Sequence, residues 1–250
     1  MHIVAEIASC DASRRPSVMA DEVDSAMGIA QRFQKLGSEP SSKWLTSAIP
    51  GGSNGDGNHK SRVERGQRRP IAAILGFELP SMGVICTLLE EYFDSVHWFS
   101  LVIYEPRFRS KFATLQDGLA YPSQKAFLRL LSLVAAMGAW YKSHKNAIDS
   151  EFPDEDWLGW STTLVDGVAA QLIEIMDQVS ISALQLCILL GSYYVYHGKP
   201  NLSFALLGAT IRTAHAMGLH YQPRLGGDVG IIEERKRVWW TIYTWDRYVA

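Results

Sequence analysis

From Leu79 onward, apolar positions recur at three- and four-residue spacing. Ile85, Leu88, Leu89, Tyr92, Phe93 and Val96 share one side, with Glu90 and Glu91 opposite, which predicts a helix opening at Pro80-Ser81. Pro106 suits the first turn of a short helix after it. "SQKAFLRLLSLVAAMGAWYKS" predicts a long helix with Ser123 as its cap and Phe127, Leu130, Leu131, Val134 and Met137 inward. "PDEDWLGWS" is acidic and turn-like, so an exposed loop is expected there. A further helix is expected from Thr163 to Met176, through Leu164, Val168, Leu172 and Ile175.

The clearest local signal is "SISALQLCILLGSYYVYHGKPNLSFALLGATIRTAHAMGLH". Gly198 ends one helix and Pro200 blocks its continuation; Gly218 ends the next, with Leu219 placed to cover the end. So short a connection predicts an antiparallel helical hairpin. The last helix, "EERKRVWWTIYTWDRYVA", puts Val238, Ile242, Trp245 and Val249 on one face and Trp239, Tyr243 and Asp246 on the next. No stretch alternates with period two for long, so no sheet is expected. The predicted class is all-α: a multi-helix domain over residues 79–250, built on antiparallel hairpins.

Residues 1–70 have a different character and are expected to be mostly disordered. A modest helix is predicted over residues 21–36, with Val23, Met27, Ala30 and Phe33 as its stripe. The stretch "PGGSNGDGNHKSRVERGQRRP" that comes later cannot form a core and reads as a flexible linker. Gly52, Gly55 and Gly57 do not make a phosphate loop, because no strand precedes them and no helix opens on them. The linker ends in Lys60, Arg62, Arg65, Arg68 and Arg69 against Glu64. These are candidates for a nuclear import signal or a phosphate-contacting arm, set against the plainer reading of a solvated linker.

Composition narrows the function classes. A net charge of -2 excludes wholesale electrostatic binding of nucleic acid. The longest apolar run, "LLSLVAAMGAWY", falls short of the roughly 18 residues a membrane span needs. The start of the chain has Glu6 in its brief apolar stretch and does not read as a signal peptide. The three cysteines, Cys10, Cys86 and Cys187, lie far apart and point to reduced thiols rather than disulfides or a cysteine-only zinc site. No catalytic motif stands out, so an enzyme is not expected, nor a cofactor or metal. His215 and His220 are five apart with Gly218 between them, which spoils a helical metal pair. His97 and His197 stand beside aromatic residues and read as structural. Asp154, Glu155 and Asp156 read as a solvated loop, and the sequon Asn201-Leu202-Ser203 means little without a secretory route. In the last helix, Trp239 and Trp240 are expected to anchor the core. Asp246, among aromatics, is expected to pair with a basic group from another helix.

Three ordered segments carry a family resemblance. Glu234, Arg235, Arg237, Trp239, Trp240, Tyr243, Asp246 and Arg247 match the signature of the fungal-specific transcription factor domain, the middle homology region of fungal zinc-cluster regulators. "LLEEYFDSVHWFSLVIYEPRFR" resembles that family's opening segment. "FALLGATIRTAHAMGLH" resembles its central helix, with Ala209 one place early. The resemblance spans about residues 79–250 and implies a nuclear regulator of a metabolic or secondary-metabolite gene set. It also implies a homodimer or a heterodimer with another transcription factor, and it allows a small-molecule effector. The family's six-cysteine cluster cannot form from three cysteines, so DNA contact is expected only indirectly or through a missing domain. The family's domain continues past Asp-Arg, so the expectation is a C-terminally incomplete copy. The alternative reading is a helical scaffold or small-molecule-binding module without a transcriptional role.

Overall fold

The structure is a computed structural model that describes residues 67–145, 152–221 and 228–249. The helix expected over residues 21–36, and Lys60, Arg62 and Arg65, lie outside the described residues. The helices run in the order α1 (Ile71–Leu75), α2 (Met82–Ser95), α3 (His97–Ser100), α4 (Glu105–Ala113), α5 (Lys125–Ser143), α6 (Trp157–Ala169), α7 (Leu172–Asp177), α8 (Ile181–Tyr196), α9 (Pro200–Ala216) and α10 (Val229–Val249). The all-α expectation holds with one small addition. Arg69–Pro70 (β1) pairs antiparallel with Leu119–Ala120 (β2). Two residues per strand leave no alternation to read in the sequence.

Helix α5 is the centre of the fold. It packs against α1, α2, α6 and α8. Leu128, Leu131, Leu133, Val134 and Ala136 on it are fully buried, so its apolar surface runs almost all round rather than along one stripe. It meets α2 at very short range: a β-carbon on Gly138 would lie 2.1 Å from the Leu88 carbonyl oxygen. Its start differs from the expected serine cap. A 3-10 turn over Pro122–Gln124 leads into it, and the Gln124 side chain accepts a hydrogen bond from the Tyr121 amide at 2.9 Å.

Arg129 is an unexpected core residue. It lies wholly buried on α5, and its Nε donates to Gln171 Oε1 at 2.7 Å. Its guanidinium also forms an ion pair with Glu174, which Lys125 Nζ meets at 3.0 Å. Gln171 in turn donates from Nε2 to the Leu75 carbonyl at 2.6 Å. The helix expected from Thr163 to Met176 is therefore two helices, broken where Gln171 turns inward between α6 and α7. Its start is also earlier than expected. Asp156 caps α6 by accepting from the Gly159 amide at 2.9 Å, so part of the anticipated loop is helical. The helical region likewise opens at Ile71 rather than near Leu79. Ile71 and Leu75 are buried, but α1 is too short to show a stripe.

The hairpin is as expected. Gly198 takes φ 72°, Lys199 donates its amide to the Tyr194 carbonyl at 2.9 Å, and Pro200 opens α9. Ser203 Oγ then donates to the Gly191 carbonyl at 2.7 Å, drawing α8 and α9 together. At the far end the Leu219 amide donates to the Ala214 carbonyl at 3.1 Å, and Leu219 is buried over the helix end. Cys187 is buried and burial pushes its thiol up to about 11, consistent with an inert core thiol. No described helix is long and apolar enough to cross a membrane.

The α2–α5 crossing gives a direct stability prediction. Gly138→Ala must push backbone from backbone and is expected to cost about 2 kcal/mol. Gly208→Ala on α9, with open space at its β-carbon, is expected to be neutral or stabilising by up to about 1 kcal/mol. Urea melts of both variants check the contrast.

Candidate functional site

Helix α10 is held by an acid that sequence reasoning placed elsewhere. Glu234 is 8% exposed. Its carboxylate lies 3.0 Å from Arg107 Nε and 3.6 Å from Lys111 Nζ, both on α4. Gln185 on α8 reaches it from the other side, with Nε2 donating to Glu234 Oε1 at 3.4 Å and to the Val102 carbonyl at 3.2 Å. Arg107 also meets Asp228, just before α10, at 3.2 Å. One carboxylate thus ties α10 to α4 and α8.

Asp246, by contrast, is exposed, and among the described residues no ion pair forms to it. The expected buried pair at Asp246 is therefore corrected to Glu234. Helical spacing does not separate the two acids. Each four-residue step advances about 40°, so Glu234 and Asp246 stand symmetrically one step outside the buried pair Val238 and Ile242, and only Glu234 lies against α4 and α8. Trp240 needs the same correction: it is 60% exposed, not a core anchor. Trp239 does pack against the core, with His215 at 5.0 Å and Tyr243 at 5.7 Å between ring centroids.

The other signature residues have local roles. Arg237 Nε pairs with Glu233 at 2.9 Å, and its guanidinium lies 5.5 Å from the Tyr104 ring centre. Arg235 donates to the Gly218 carbonyl at 3.3 Å, fastening α10 to the end of the hairpin. Arg247 lies over Tyr243 at 5.3 Å. Of the basic linker, Arg68 is engaged in the fold. It donates to Asp117 Oδ1 at 2.7 Å, to the Thr114 carbonyl at 3.0 Å and to the Leu119 carbonyl. Arg69 is exposed on β1. His215 and His220 do come together, 4.9 Å between ring centres beside Trp239. Among the described residues no group of three or more metal-ligating side chains gathers.

A second feature was invisible in the sequence. The ends of α2, α3, α5 and α8 enclose a cavity of about 320 Å³, with Trp98, Met137, Trp140, Tyr193 and His197 in its wall. No aspartate, glutamate, lysine or arginine lines it. Ser100, also in the wall, is tied by its carbonyl to α10, where Thr241 Oγ1 donates to it at 3.0 Å. Leu101 follows with φ 47°, the one described non-glycine residue in the left-handed region. That strained turn joins the cavity to Val102 and so to Gln185 and Glu234.

Such a fold is an all-helical domain whose aromatic C-terminal helix is locked by one buried carboxylate. The family model for the "Fungal specific transcription factor domain" matches residues 89–250, and the chain belongs to that family. It is 27% identical over 179 residues to an "ABC-transporter-regulating transcription factor" of Aspergillus fumigatus, covering 69% of this chain and 19% of that protein. It is likewise 27% identical over 180 residues to the "Thiamine repressible genes regulatory protein thi1" of Schizosaccharomyces pombe, covering 69% of this chain and 22% of the relative. The chain therefore spans about a fifth of the length of these curated relatives. No solved structure matches it.

Two predictions separate the acids and test the buried His97. Glu234→Ala leaves Arg107 and Lys111 without their shared partner; because both are about a third exposed, the expected cost is about 2 kcal/mol rather than the full buried-pair value. Asp246→Ala is expected to change stability by less than about 0.5 kcal/mol in the same thermal melts. His97 is buried with Nδ1 lacking a hydrogen-bond partner among the described residues, and burial, aided by Arg237 and opposed by the nearby Glu105, holds its pKa below the usual 6.5. The folded state thus resists the proton that the unfolded chain takes up. The His97 contribution is present above about pH 6.5 and lost as pH falls through the lowered folded value. Melting temperature should decline over that interval, and less steeply in His97→Phe.

Proposed function

We propose that this domain is the regulatory part of a fungal transcription regulator acting in the nucleus on a metabolic gene set. The observation that carries the reading is the family match over residues 89–250, ending in the signature helix that Glu234 docks. The relatives' names, which speak of ABC-transporter regulation and thiamine-repressible genes, favour a metabolic gene set. DNA contact is assigned to another segment or to a partner, which is either a second copy or another transcription factor. The net charge of -2 supports that division of labour. Lys60, Arg62, Arg65 and the exposed Arg69 serve nuclear import. Arg68 is better assigned to the fold, given its bonds to Asp117 and the β2 strand. The domain's response to a small effector completes the reading. It works by binding and conformational change, not by catalysis.

The test tethers the chain to an unrelated DNA-binding domain upstream of a reporter. The fusion is expected to change reporter output relative to the DNA-binding domain alone, and Glu234→Ala is expected to remove that effect. The untethered chain is expected to give no sequence-selective gel shift with promoter fragments. An inert fusion, or a selective shift by the chain alone, overturns the reading.

A further inference from the structure

We propose that the cavity between α2, α3, α5 and α8 binds a neutral, planar aromatic molecule. This deepens the effector part of the function proposed above and rests on it for any consequence in transcription. Binding itself is a property of this chain.

Size and wall chemistry set the ligand class. About 320 Å³ is at the small end of the range for ligand sites, roughly 300–1,000 Å³. Trp98, Trp140, Tyr141, Tyr193 and Tyr196 supply aromatic surface, against which a flat ring gains stacked or edge contacts. With no aspartate, glutamate, lysine or arginine in the wall, a charged ligand would lose its hydration for an apolar surface. Trp98, 70% exposed, stands at the mouth with its Nε1 donating to the Ser95 carbonyl at 2.9 Å. The site is therefore open to solvent on one side.

His197 is a fixed part of the wall. Its Nδ1 lies 2.7 Å from the Tyr193 carbonyl, which can only accept, so Nδ1 carries the proton. The ring is held by stacking on Tyr193 at 3.6 Å and 17° and by the Trp140 edge at 5.2 Å, which leaves Nε2 buried away from the cavity. The Ser100 hydroxyl is likewise buried, and Ser192 Oγ is committed to the Ile188 carbonyl at 3.0 Å. The wall therefore offers a ligand almost entirely apolar and aromatic surface, which favours a plain ring over one that must shed hydration from a polar group. A ligand against Ser100 also touches the turn that Thr241 fastens to α10.

The experiment titrates 2-naphthol, naphthalene and 2-naphthoate into the full chain, followed by calorimetry and tryptophan quenching. One naphthalene per chain is expected, 2-naphthol no tighter, and 2-naphthoate without measurable binding. Met137→Trp, which fills the cavity, should abolish naphthalene binding. The wild-type ranking decides the charge requirement even if that variant fails to fold. The proposal is overturned if no neutral probe binds up to its solubility limit, if 2-naphthoate binds as tightly as naphthalene, or if a folded Met137→Trp still binds naphthalene. A negative titration with the tethered reporter still active would remove the site and leave the transcriptional role standing. Binding with a silent reporter would do the reverse.

Discussion

Burial of α5 on nearly every side is the constraint from which the rest of the domain follows. A helix with so little polar surface needs partners all round, and α1, α2, α6 and α8 supply them. The fit is close enough at Gly138 that any side chain would meet the α2 backbone. Interiors packed to this density transmit displacement rather than absorb it. The buried charge of that helix, Arg129, is tolerated because Glu174 on α7 and Gln171, at the break between α6 and α7, meet it.

The signature helix is attached by a different kind of bond. Val238 and Ile242 bury apolar surface, but the direction of α10 is set by Glu234 between Arg107, Lys111 and Gln185. An ionic clamp of this kind contributes less to stability than an apolar contact of the same size, yet it fixes which neighbours the helix takes. Arg235 adds a tether to the hairpin end at Gly218. The aromatic residues that dominate the motif by eye do less of this work: Trp240 faces solvent and Trp239 packs at the edge.

The cavity and the clamp share a short segment of chain. Ser100 lines the cavity and accepts from Thr241, Leu101 takes a left-handed turn, and Val102 accepts from the same Gln185 that reaches Glu234. A group bound in the cavity therefore lies within two residues of the contacts that seat α10. Strain concentrated at such a turn is a feature of sites that change state. It gives the regulatory reading a physical route from a small molecule to a helix face.

Local order was legible in the sequence because its causes are local. The apolar spacing around Leu88, the Gly198-Lys199-Pro200 turn and the Gly218-Leu219 end depend on a few neighbouring residues, and each appears where the pattern placed it. The family, too, was readable from the Glu234 to Arg247 motif together with two upstream segments. Only the tertiary structure could choose between Glu234 and Asp246, since both stand beside apolar positions and only one faces α4 and α8. It alone could show that Trp240 is exposed, that Arg129 is buried, and that His197 and Ser100 meet across one cavity. These are separated by 97 positions in sequence, and a hollow is a property of how helices fail to touch, which no single helix records. Periodicity determines which side of a helix is apolar; what that side meets is decided by the packing of all the others.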